Sequence, residues 1–274
     1  MSDASKSLLG KETDYSQGYS PDLLFPLDRS LNRQTLPFSD GLPFHGEDLW
    51  TGYELSWLNM KGKPVVAIAE FRLPADSRSM IESKSFKLYL NGFNHERFVD
   101  SQAVQTTLEK DLSEAAGAPV SVCLRAATDA AEGLNDSRDW VCLDELDISC
   151  EDFQPNPALL KVGDEQVNEA LCSHLLRSNC PVTGQPDWAS IYIHYSGKKI
   201  NHESLLRYLI SFRQCQDFHE HCVERIFSDL QSICDCQSLS VYARYTRRGG
   251  LDINPYRATF DLSNKAPVIR TPRQ

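Results

Sequence analysis

Cys180 is the side chain whose surroundings best suit nucleophilic chemistry. It stands in the segment Ser178-Asn-Cys-Pro-Val-Thr-Gly-Gln-Pro-Asp187, a polar loop that contains proline and glycine and precedes an apolar strand candidate. Packing cysteines usually have apolar surroundings. A thiol becomes a nucleophile when a nearby base takes its proton, and Asp187 can fold back across the loop as that base. The segment therefore predicts a nucleophilic cysteine, against the alternative of a buried packing thiol.

A second group of reactive side chains follows in the chain. His219, Glu220 and Cys222 place a base, an acid and a thiol within one helical turn. Glu220 also has a structural explanation, because Asp217 and Glu220 have the spacing of a helix capping box. The segment Ser79-Met-Ile-Glu82 has the same spacing, so both glutamates retain this alternative.

Zinc is the other chemistry that this region suggests. Its possible ligands are His219, His221, Cys222, Cys234 and Cys236. On a helix His221 points about 200° away from His219, and the two last cysteines do not form a C-x₂-C knuckle. We therefore expect these residues to form no structural zinc site, and we predict no metal ligands in the chain.

The segment Thr246–Arg257 with the preceding Arg244 is the best candidate site for an anionic ligand. Its relevant residues are Arg244, Arg247, Arg248, Gly249, Gly250 and Arg257, with Asp252 as the one acidic residue. The glycines would let backbone amides approach a phosphate. The alternative is a tight turn with solvated arginines. The sequence contains neither a G-x-G-x-x-G motif nor a P-loop, which excludes Rossmann and P-loop nucleotide sites.

The elements that must position these side chains occur twice. At an offset of 119 residues, Ser85, Tyr89, Leu90, Phe93, Ser121, Val122 and Arg125 match Ser204, Tyr208, Leu209, Phe212, Ser240, Val241 and Arg244. The first copy predicts a strand at 65–73, apolar helix stripes at 86–93 and 104–115, and a strand at 120–126. The second predicts a strand at 191–195, helices at 205–212 and 218–234, with Cys222, Ile226, Leu230 and Ile233 buried, and a strand at 239–246. Both copies favour an α+β fold of antiparallel sheets with helices on one face.

Composition narrows the class of protein. The 274 residues have a net charge of −10 and are 41% hydrophobic, which indicates one large globular domain or two smaller ones. The acidic balance disfavours direct nucleic-acid binding. No long apolar run and no signal peptide are present, so we expect a cytoplasmic protein without a membrane span. The nine cysteines are then expected to be reduced thiols.

The negative charge is concentrated in one stretch. Residues 126–169 contain twelve acidic and two basic residues, together with two prolines and little periodicity. We interpret this stretch as an acidic connection between two folded halves, 1–125 and 170–274.

Four separated motifs give the sequence a family resemblance. They are Glu82-Ser-Lys-Ser-Phe-Lys-Leu-Tyr89, Cys180-Pro-Val-Thr-Gly-Gln-Pro-Asp187, Phe218-His-Glu220 and Arg248-Gly-Gly250. With these motifs the chain resembles the NADPH-dependent 7-cyano-7-deazaguanine reductases of queuosine biosynthesis in their long, two-copy form. The resemblance implies tandem tunnelling-fold (T-fold) units, a barrel completed by oligomerisation, and at least a homodimer. Since Asn201 matches Glu82 in the second copy, it implies one complete site per chain, assembled from both halves.

The resemblance also implies the chemistry of the site. Cys180 would attack the nitrile carbon of 7-cyano-7-deazaguanine to form a thioimide. Asp187 would take the thiol proton and later donate one, while His219 would assist proton delivery. Reduction to the aminomethyl group takes four electrons, and therefore two molecules of NADPH.

The remaining implied roles concern binding. Glu82 and Glu220, with His219, would hold the base through its N–H donors, and Ile81 and Ser83 would complete the pocket. The implied NADPH contacts are Ser83, Lys84, Arg248 and Gly249.

Two other functions stay open at this point. A zinc-dependent pterin or purine hydrolase resembling GTP cyclohydrolase I would need a metal site. A non-catalytic purine-binding module would bind its ligand without consuming NADPH.

Overall fold

A computed structural model describes residues 18–38, 41–129, 139–261 and 270–274. The first half has β1 (Pro26–Asp28), α1 (Arg29–Arg33), β2 (His45–Leu58), β3 (Pro64–Pro74), β4 (Ser79–Ile81), α2 (Ser83–Gly92), α3 (Ser101–Ala116) and β5 (Ser121–Ala126). The second half has β6 (Val141–Cys142), β7 (Val162–Asn179), β8 (Pro186–Ile200), α4 (His202–Ser211), α5 (His219–Cys234), β9 (Ser238–Tyr245) and β10 (Leu251–Ala258). Short 3-10 helices cover Pro21–Leu23, Phe93–His95, Pro157–Leu159 and Phe212–Gln214. No helix in these described ranges is long and apolar enough to cross a membrane.

The chain divides into two compact units that interleave along the sequence. The first unit takes its described residues from Met1–Thr35, Asp48–Ala131 and Arg247–Ile253, and the second takes the rest. The predicted boundaries at 126 and 170 are not those of the units: β6 lies inside the acidic stretch, and β7 begins at Val162. Each unit thus contains a short segment from the other half of the sequence. A boundary predicted from composition cannot reveal such an exchange.

In the first unit, β5, β3 and β2 form a sheet in that order, and β3 and β5 pair antiparallel from Ala67 opposite Ala126 to Arg72 opposite Ser121. The apolar faces of α2 and α3 cover a core in which Phe71, Phe86 and Leu108 are fully buried. Burial of such side chains is the main favourable contribution to folding. The strand predicted at 65–73 and both predicted helices are confirmed.

In the second unit the strand order is β10, β9, β8, β7, β6. All pairings described here are antiparallel except that between β6 and β7. Helices α4 and α5 and the strands at 191–195 and 239–246 are confirmed, with β8 much longer than predicted. The α+β class with antiparallel sheets is therefore correct.

The internal repeat is confirmed at atomic detail. Ser85 and Ser204 each donate a side-chain hydrogen bond of 2.7 Å to the carbonyl of the residue that caps their helix. Each serine also accepts a 3.0 Å bond from a backbone amide of a preceding loop. Tyr89 and Tyr208 donate to Asp111 and Asp229 of the second helix. Burial raises the pKa of both tyrosines, so their hydroxyls remain donors.

The ends of the two apolar stripes differ from the prediction. Ala115 and Ile233 were expected to be buried, but both are half-exposed, and Ala116 and Cys234 are buried instead. Ala116 and Cys234 are the last residues of α3 and α5. Each follows the predicted position by one residue, and this step around the helix turns its side chain toward the core.

Candidate active site

Cys180 lies at the base of a tight turn between β7 and β8. Its amide donates to the carbonyl of Gln185 at 2.8 Å, and its carbonyl accepts from the amide of Gly184 at 3.0 Å. Gly184 has a φ of +66°, a conformation that glycine adopts without strain. Cys180 is only 6% exposed. The thiol residue is therefore held at the bottom of a polar turn by backbone bonds on both sides.

Asp187 belongs to the same face of this hairpin. Ser178 stands opposite Asp187 and Asn179 opposite Pro186, so the hydrogen bond from Cys180 to Gln185 continues the ladder. Side chains alternate between faces along a strand, which places Cys180 and Asp187 on one face as diagonal neighbours. Such neighbours have Cα atoms about 7–8 Å apart. This register agrees with the predicted partnership of thiol and carboxylate.

Asn179 connects the hairpin to the start of α5. Its amide donates to the carbonyl of Cys215 at 2.7 Å, and its carbonyl accepts from the amide of Asp217 at 3.1 Å. This pairing brings the first residue of α5, His219, against the hairpin. His219 Nε2 lies 3.4 Å from Asp187 Oδ2. The structure therefore brings together the predicted acid–base residues Asp187 and His219.

Tyr245 completes the surroundings of His219 and was missed by sequence reasoning. The two rings are stacked with centroids 3.6 Å apart and planes 3° from parallel. Burial raises the pKa of Tyr245 well above its ordinary value, so the ring stays neutral. His219 Nδ1 is buried and has no hydrogen-bond partner among the described residues. A buried polar atom of this kind is expected to bind a ligand or water.

The start of α5 differs from the predicted capping box. The N-cap is Phe218, which makes no side-chain cap bond, and Asp217 accepts from the amide of Phe218 at 2.8 Å instead. Asp217 also pairs with His221 one turn later. Glu220 is buried at 4% exposure in this first turn. The capping-box explanation of Glu220 is thus wrong, because the side chain of Asp217 is used differently.

Cys215 and Cys222 form a hydrogen-bonded pair of thiols, and the carbonyl of Cys215 accepts from the amide of Asn179, the residue before Cys180. Both are buried, and a hydrogen bond from Cys222 lowers the pKa of Cys215 while the same contact and burial raise that of Cys222. All nine cysteines are free thiols, as the sequence predicts. Cys215 is therefore the rival that any test of Cys180 has to exclude.

Glu82 is the N-cap of α2 in the first unit. Its two carboxylate oxygens accept from the amides of Lys84 and Ser85 at 2.7 and 2.8 Å, and the residue is 1% exposed. Ser79 lies in β4 and does not cap the helix, so the predicted box is wrong in detail although Glu82 does cap. An ionised carboxylate has about four acceptor positions, so two remain for a ligand. Ile81 and Ser83 flank this cap.

The arginine-rich segment divides into a buried and an exposed part. Arg244 and Arg257 are 2% and 0% exposed, and they bond Gln274 and Glu224 respectively. Their predicted role in an anion site is wrong, because both guanidinium groups serve the interior of the second unit. Arg247 is exposed and stands over the ring of Tyr53 in the first unit.

Gly249 and Gly250 form the tip of a two-residue hairpin in the first unit. Arg248 and Leu251 exchange backbone bonds across it, and the glycines have φ of +60° and +76°. Positive φ at both positions is the condition of a type I′ turn, so the tight turn is confirmed, whereas the solvated arginines of that alternative are not, because Arg244 and Arg257 are buried. The turn borders a cavity of about 220 Å³ lined by Gly52, Glu54, Leu55, Lys87, Leu90, Asn91, Asn94, Gly249, Gly250 and Leu251.

Lys87 is the basic residue of this cavity that sequence reasoning missed. It follows Lys84 by three residues, a spacing that places both on one face of α2 and that was visible in the motif. Of the predicted cofactor residues, Gly249 lines the cavity, while Ser83, Lys84 and Arg248 do not. Cys180, Asp187, His219 and Glu220 belong to the second unit, and the other predicted site residues belong to the first.

Comparisons with known proteins agree on one family. A family model described as "Nitrile reductase, 7-cyano-7-deazaguanine-reductase N-term" matches residues 15–124, and another described as "QueF-like protein" matches residues 186–263. The NADPH-dependent 7-cyano-7-deazaguanine reductase of Dechloromonas aromatica is 56% identical, with 94% of this chain and 92% of that protein covered. The enzymes of the same name from Azoarcus sp. and Chromohalobacter salexigens are 53% and 55% identical, with 99% and 94% of this chain and 96% and 95% of those proteins covered.

One solved structure is also similar to part of the chain. It is the crystal structure of an archaeosine synthase QueF-Like in the apo form, with a TM-score of 0.31 and 13% identity over 35% of this chain and 94% of that one. A similarity of this size supports no argument about the fold.

Proposed function

Because the chain belongs to the family of NADPH-dependent 7-cyano-7-deazaguanine reductases, we propose that it reduces the nitrile of 7-cyano-7-deazaguanine to the aminomethyl group in queuosine biosynthesis. The observation that supports this most directly is the grouping of Cys180, Asp187 and His219 around one hairpin. A thiol, a carboxylate and an imidazole are the groups that nucleophilic addition and proton transfer to a nitrile require.

The thiol of Cys180 begins the reaction in this proposal. Its sulfur forms a bond to the nitrile carbon, and one carbon–nitrogen π bond breaks. The thiol proton passes to Asp187 and then to the nitrogen, so the product is a neutral thioimide with no atom lost. His219, in contact with Asp187, assists proton delivery. NADPH supplies the hydrides that the thioimide needs for reduction, two for each nitrile.

Recognition of the base is assigned to the two buried glutamates. The Watson–Crick edge of a guanine-type base presents neighbouring N–H donors, which suit carboxylate acceptors. Glu220 and the two remaining acceptor positions of Glu82 would take these donors. Ile81, Ser83 and His219 stay our other proposed contacts of the base.

The role of Glu82 can be separated from its helix cap. Asn201 caps α4 by accepting from the amide of Ser204 at 2.9 Å, as Glu82 does for Ser85 in α2. We therefore expect Glu82→Asn to keep α2 and the melting temperature nearly unchanged while it raises KM for the nitrile by about 10- to 150-fold, the effect of losing a charged hydrogen bond. Steady-state kinetics and thermal unfolding of the same samples check this. An unchanged KM would leave Glu82 with the capping role alone.

The residues around the Gly249–Gly250 turn suit part of NADPH. Lys87 lines the cavity, and the exposed Arg247 and the half-buried Arg248 lie in the adjoining segment. Glu54 in the same lining opposes an anion, so the basic side chains must outweigh it. A cavity of about 220 Å³ accommodates a phosphate-sized group and is smaller than the pockets of about 300–1,000 Å³ that hold whole ligands. Ser83, Lys84, Arg248 and Gly249 stay our proposed contacts, with Lys87 added.

The electron count provides the test of the reaction class. Purified protein with excess NADPH and a limiting amount of 7-cyano-7-deazaguanine should oxidise two NADPH for each nitrile and release the amine, identified by its mass. A ratio of one, or release of ammonia with a carboxylic acid, would contradict a four-electron reduction.

The finer features implied by the family belong to the same proposal. We propose that each unit is a T-fold unit, which the repeated order of strand pair, two helices and strand supports. A barrel completed by oligomerisation, at least a homodimer and a cytoplasmic location are proposed with it. Sedimentation of the purified protein measures the oligomeric state.

A further inference from the structure

Cys142, Cys172 and His174 form a cluster that the proposed reaction does not use. One ligand atom from each, two sulfurs and a ring nitrogen, lies within 4.8 Å of the other two. It is the one group of three or more histidine, cysteine or acidic residues of this kind within the ranges that the structure describes. Cys172 and His174 lie in β7 and Cys142 in β6, and none of them is a side chain that the proposed reaction uses.

The strand register explains why these three side chains meet. Cys142 of β6 stands beside Cys172 of β7 in a parallel pairing, and the amide of Leu143 donates to the carbonyl of Cys172 at 2.9 Å. His174 follows Cys172 by two residues and lies in an irregular part of β7, where the register shifts between Ser173 and Leu176, yet one of its ring nitrogens still lies within 4.8 Å of both sulfurs. The strand pairing therefore brings the two cysteines together, and the local bend of β7 adds the histidine.

Neighbouring groups hold the histidine in place. His174 Nδ1 lies 2.8 Å from the hydroxyl of Ser190, and the amide of His174 donates to Asp144 at 2.9 Å. Metal-binding histidines typically have one ring nitrogen bonded to a fixed neighbour while the other binds the metal. Trp140 and Tyr192 pack in the apolar cluster that contains Cys172 and shield one side of it from solvent.

The donor set selects the cation. Two thiolates and one imidazole suit Zn²⁺ and other soft or borderline cations, whereas Mg²⁺ and Ca²⁺ prefer oxygen ligands. Of the three residues only Cys142 lies in the acidic stretch 126–169. The carboxylate of Asp144, which accepts from the amide of His174, adds negative charge beside the cluster, and the guanidinium of Arg273, which donates to the carbonyl of His174, opposes it. Cys142 and His174 are exposed, so an ion can reach the site from solvent.

We propose that Cys142, Cys172 and His174 bind one Zn²⁺ per chain, with water as the fourth tetrahedral ligand. Binding releases the two thiol protons to solvent and forms two zinc–sulfur bonds and one zinc–nitrogen bond. The ion fastens β6, a strand of only two residues, to β7. The proposed role of the ion is to support the pairing of β6 with β7, and the nitrile chemistry at Cys180 needs no metal.

Co²⁺ is the probe that tests the site. Thiolate coordination gives Co²⁺ a charge-transfer absorption, and this signal is measured independently of enzyme activity. The full-length protein is stripped of metal under reducing conditions and titrated with Co²⁺, and Zn²⁺ is then added in competition. We expect saturation at one Co²⁺ per chain and its displacement by Zn²⁺. Zn²⁺ should also slow proteolysis next to β6.

Substitutions at exposed positions assign the ligands. Cys142→Ser and His174→Ala should each weaken Co²⁺ binding by at least about tenfold, since even neighbours of metal ligands change affinity by 10- to 100-fold. Cys123→Ser removes an exposed thiol from β5 and is the matched control, expected to bind normally. The Cys180→Ala variant should also bind normally. Failure to saturate at one equivalent, or unchanged binding in the Cys142→Ser/His174→Ala double variant, would overturn the proposal.

Discussion

Cys180→Ala should abolish both turnover and covalent capture of the nitrile. Incubation of the unaltered protein with 7-cyano-7-deazaguanine and no NADPH is expected to increase its intact mass by the full mass of the nitrile, because addition of a thiol to a nitrile loses no atom. The variant should show no increase, and its NADPH oxidation should fall by about 10⁴-fold or more, as when other catalytic nucleophiles are removed. Intact-mass and peptide mass spectrometry locate the adduct.

Cys215 is the comparison that makes this result specific. It is buried at 7% exposure beside the same hairpin, and its pKa is lowered by Cys222, so it is the alternative nucleophile on physical grounds. We expect Cys215→Ser to form the adduct with the same mass increase. If the adduct is found on Cys215, or if Cys180→Ala turns over normally, the proposed mechanism is wrong.

Asp187→Asn should lower kcat by about 10²- to 10⁴-fold, the usual contribution of a general acid or base. The amide keeps the size of the side chain but cannot take the proton from Cys180 or return it. KM should change much less than kcat, because in the proposed mechanism Asp187 transfers the thiol proton and does not bind the purine-like ring of the substrate. Rapid-mixing mass spectrometry should show slow thioimide formation in the variant.

A matched carboxylate provides the control for Asp187. Asp235 lies in the left-handed conformation at the end of α5, with a φ of 50°, which asparagine also adopts readily. Asp235→Asn should therefore keep the activity and the pH profile of the unaltered protein. The Asp187→Asn variant could instead have a pH–rate profile of unchanged shape, with kcat lowered by the same factor at every pH. Asp187 would then position His219 and would not transfer a proton itself.

The elements that could be predicted are those with a clear period. Helices α2, α3, α4 and α5 each present an apolar stripe every three to four residues, and β3 alternates. Strands β2 and β7 were missed because each contains acidic or polar residues and a glycine early in its length, so no period of two is visible. β10 contains Pro255 and was interpreted as part of a turn, since proline rarely occurs inside a strand.

In the candidate site, contacts between residues close in sequence could be predicted, whereas contacts between residues far apart in sequence could not. Cys180 and Asp187 could be paired from the sequence because one tight turn joins them. The contact between His219 and Asp187 depends on the backbone bonds of Asn179 with Cys215 and Asp217, which no local pattern encodes. Tyr245 reaches His219 from β9, and Arg244 and Arg257 are turned inward by partners far along the chain.

The matched caps Glu82 and Asn201 have a consequence for how two copies of one unit diverge. Either side chain satisfies the same amide at the start of its helix, so exchange of one for the other is close to neutral for folding. Folding alone therefore does not require a carboxylate at either position, and a chain with asparagine at both caps should be as stable as this one. In the proposed function the carboxylate is needed for the ligand, and one copy of the unit is enough to supply it.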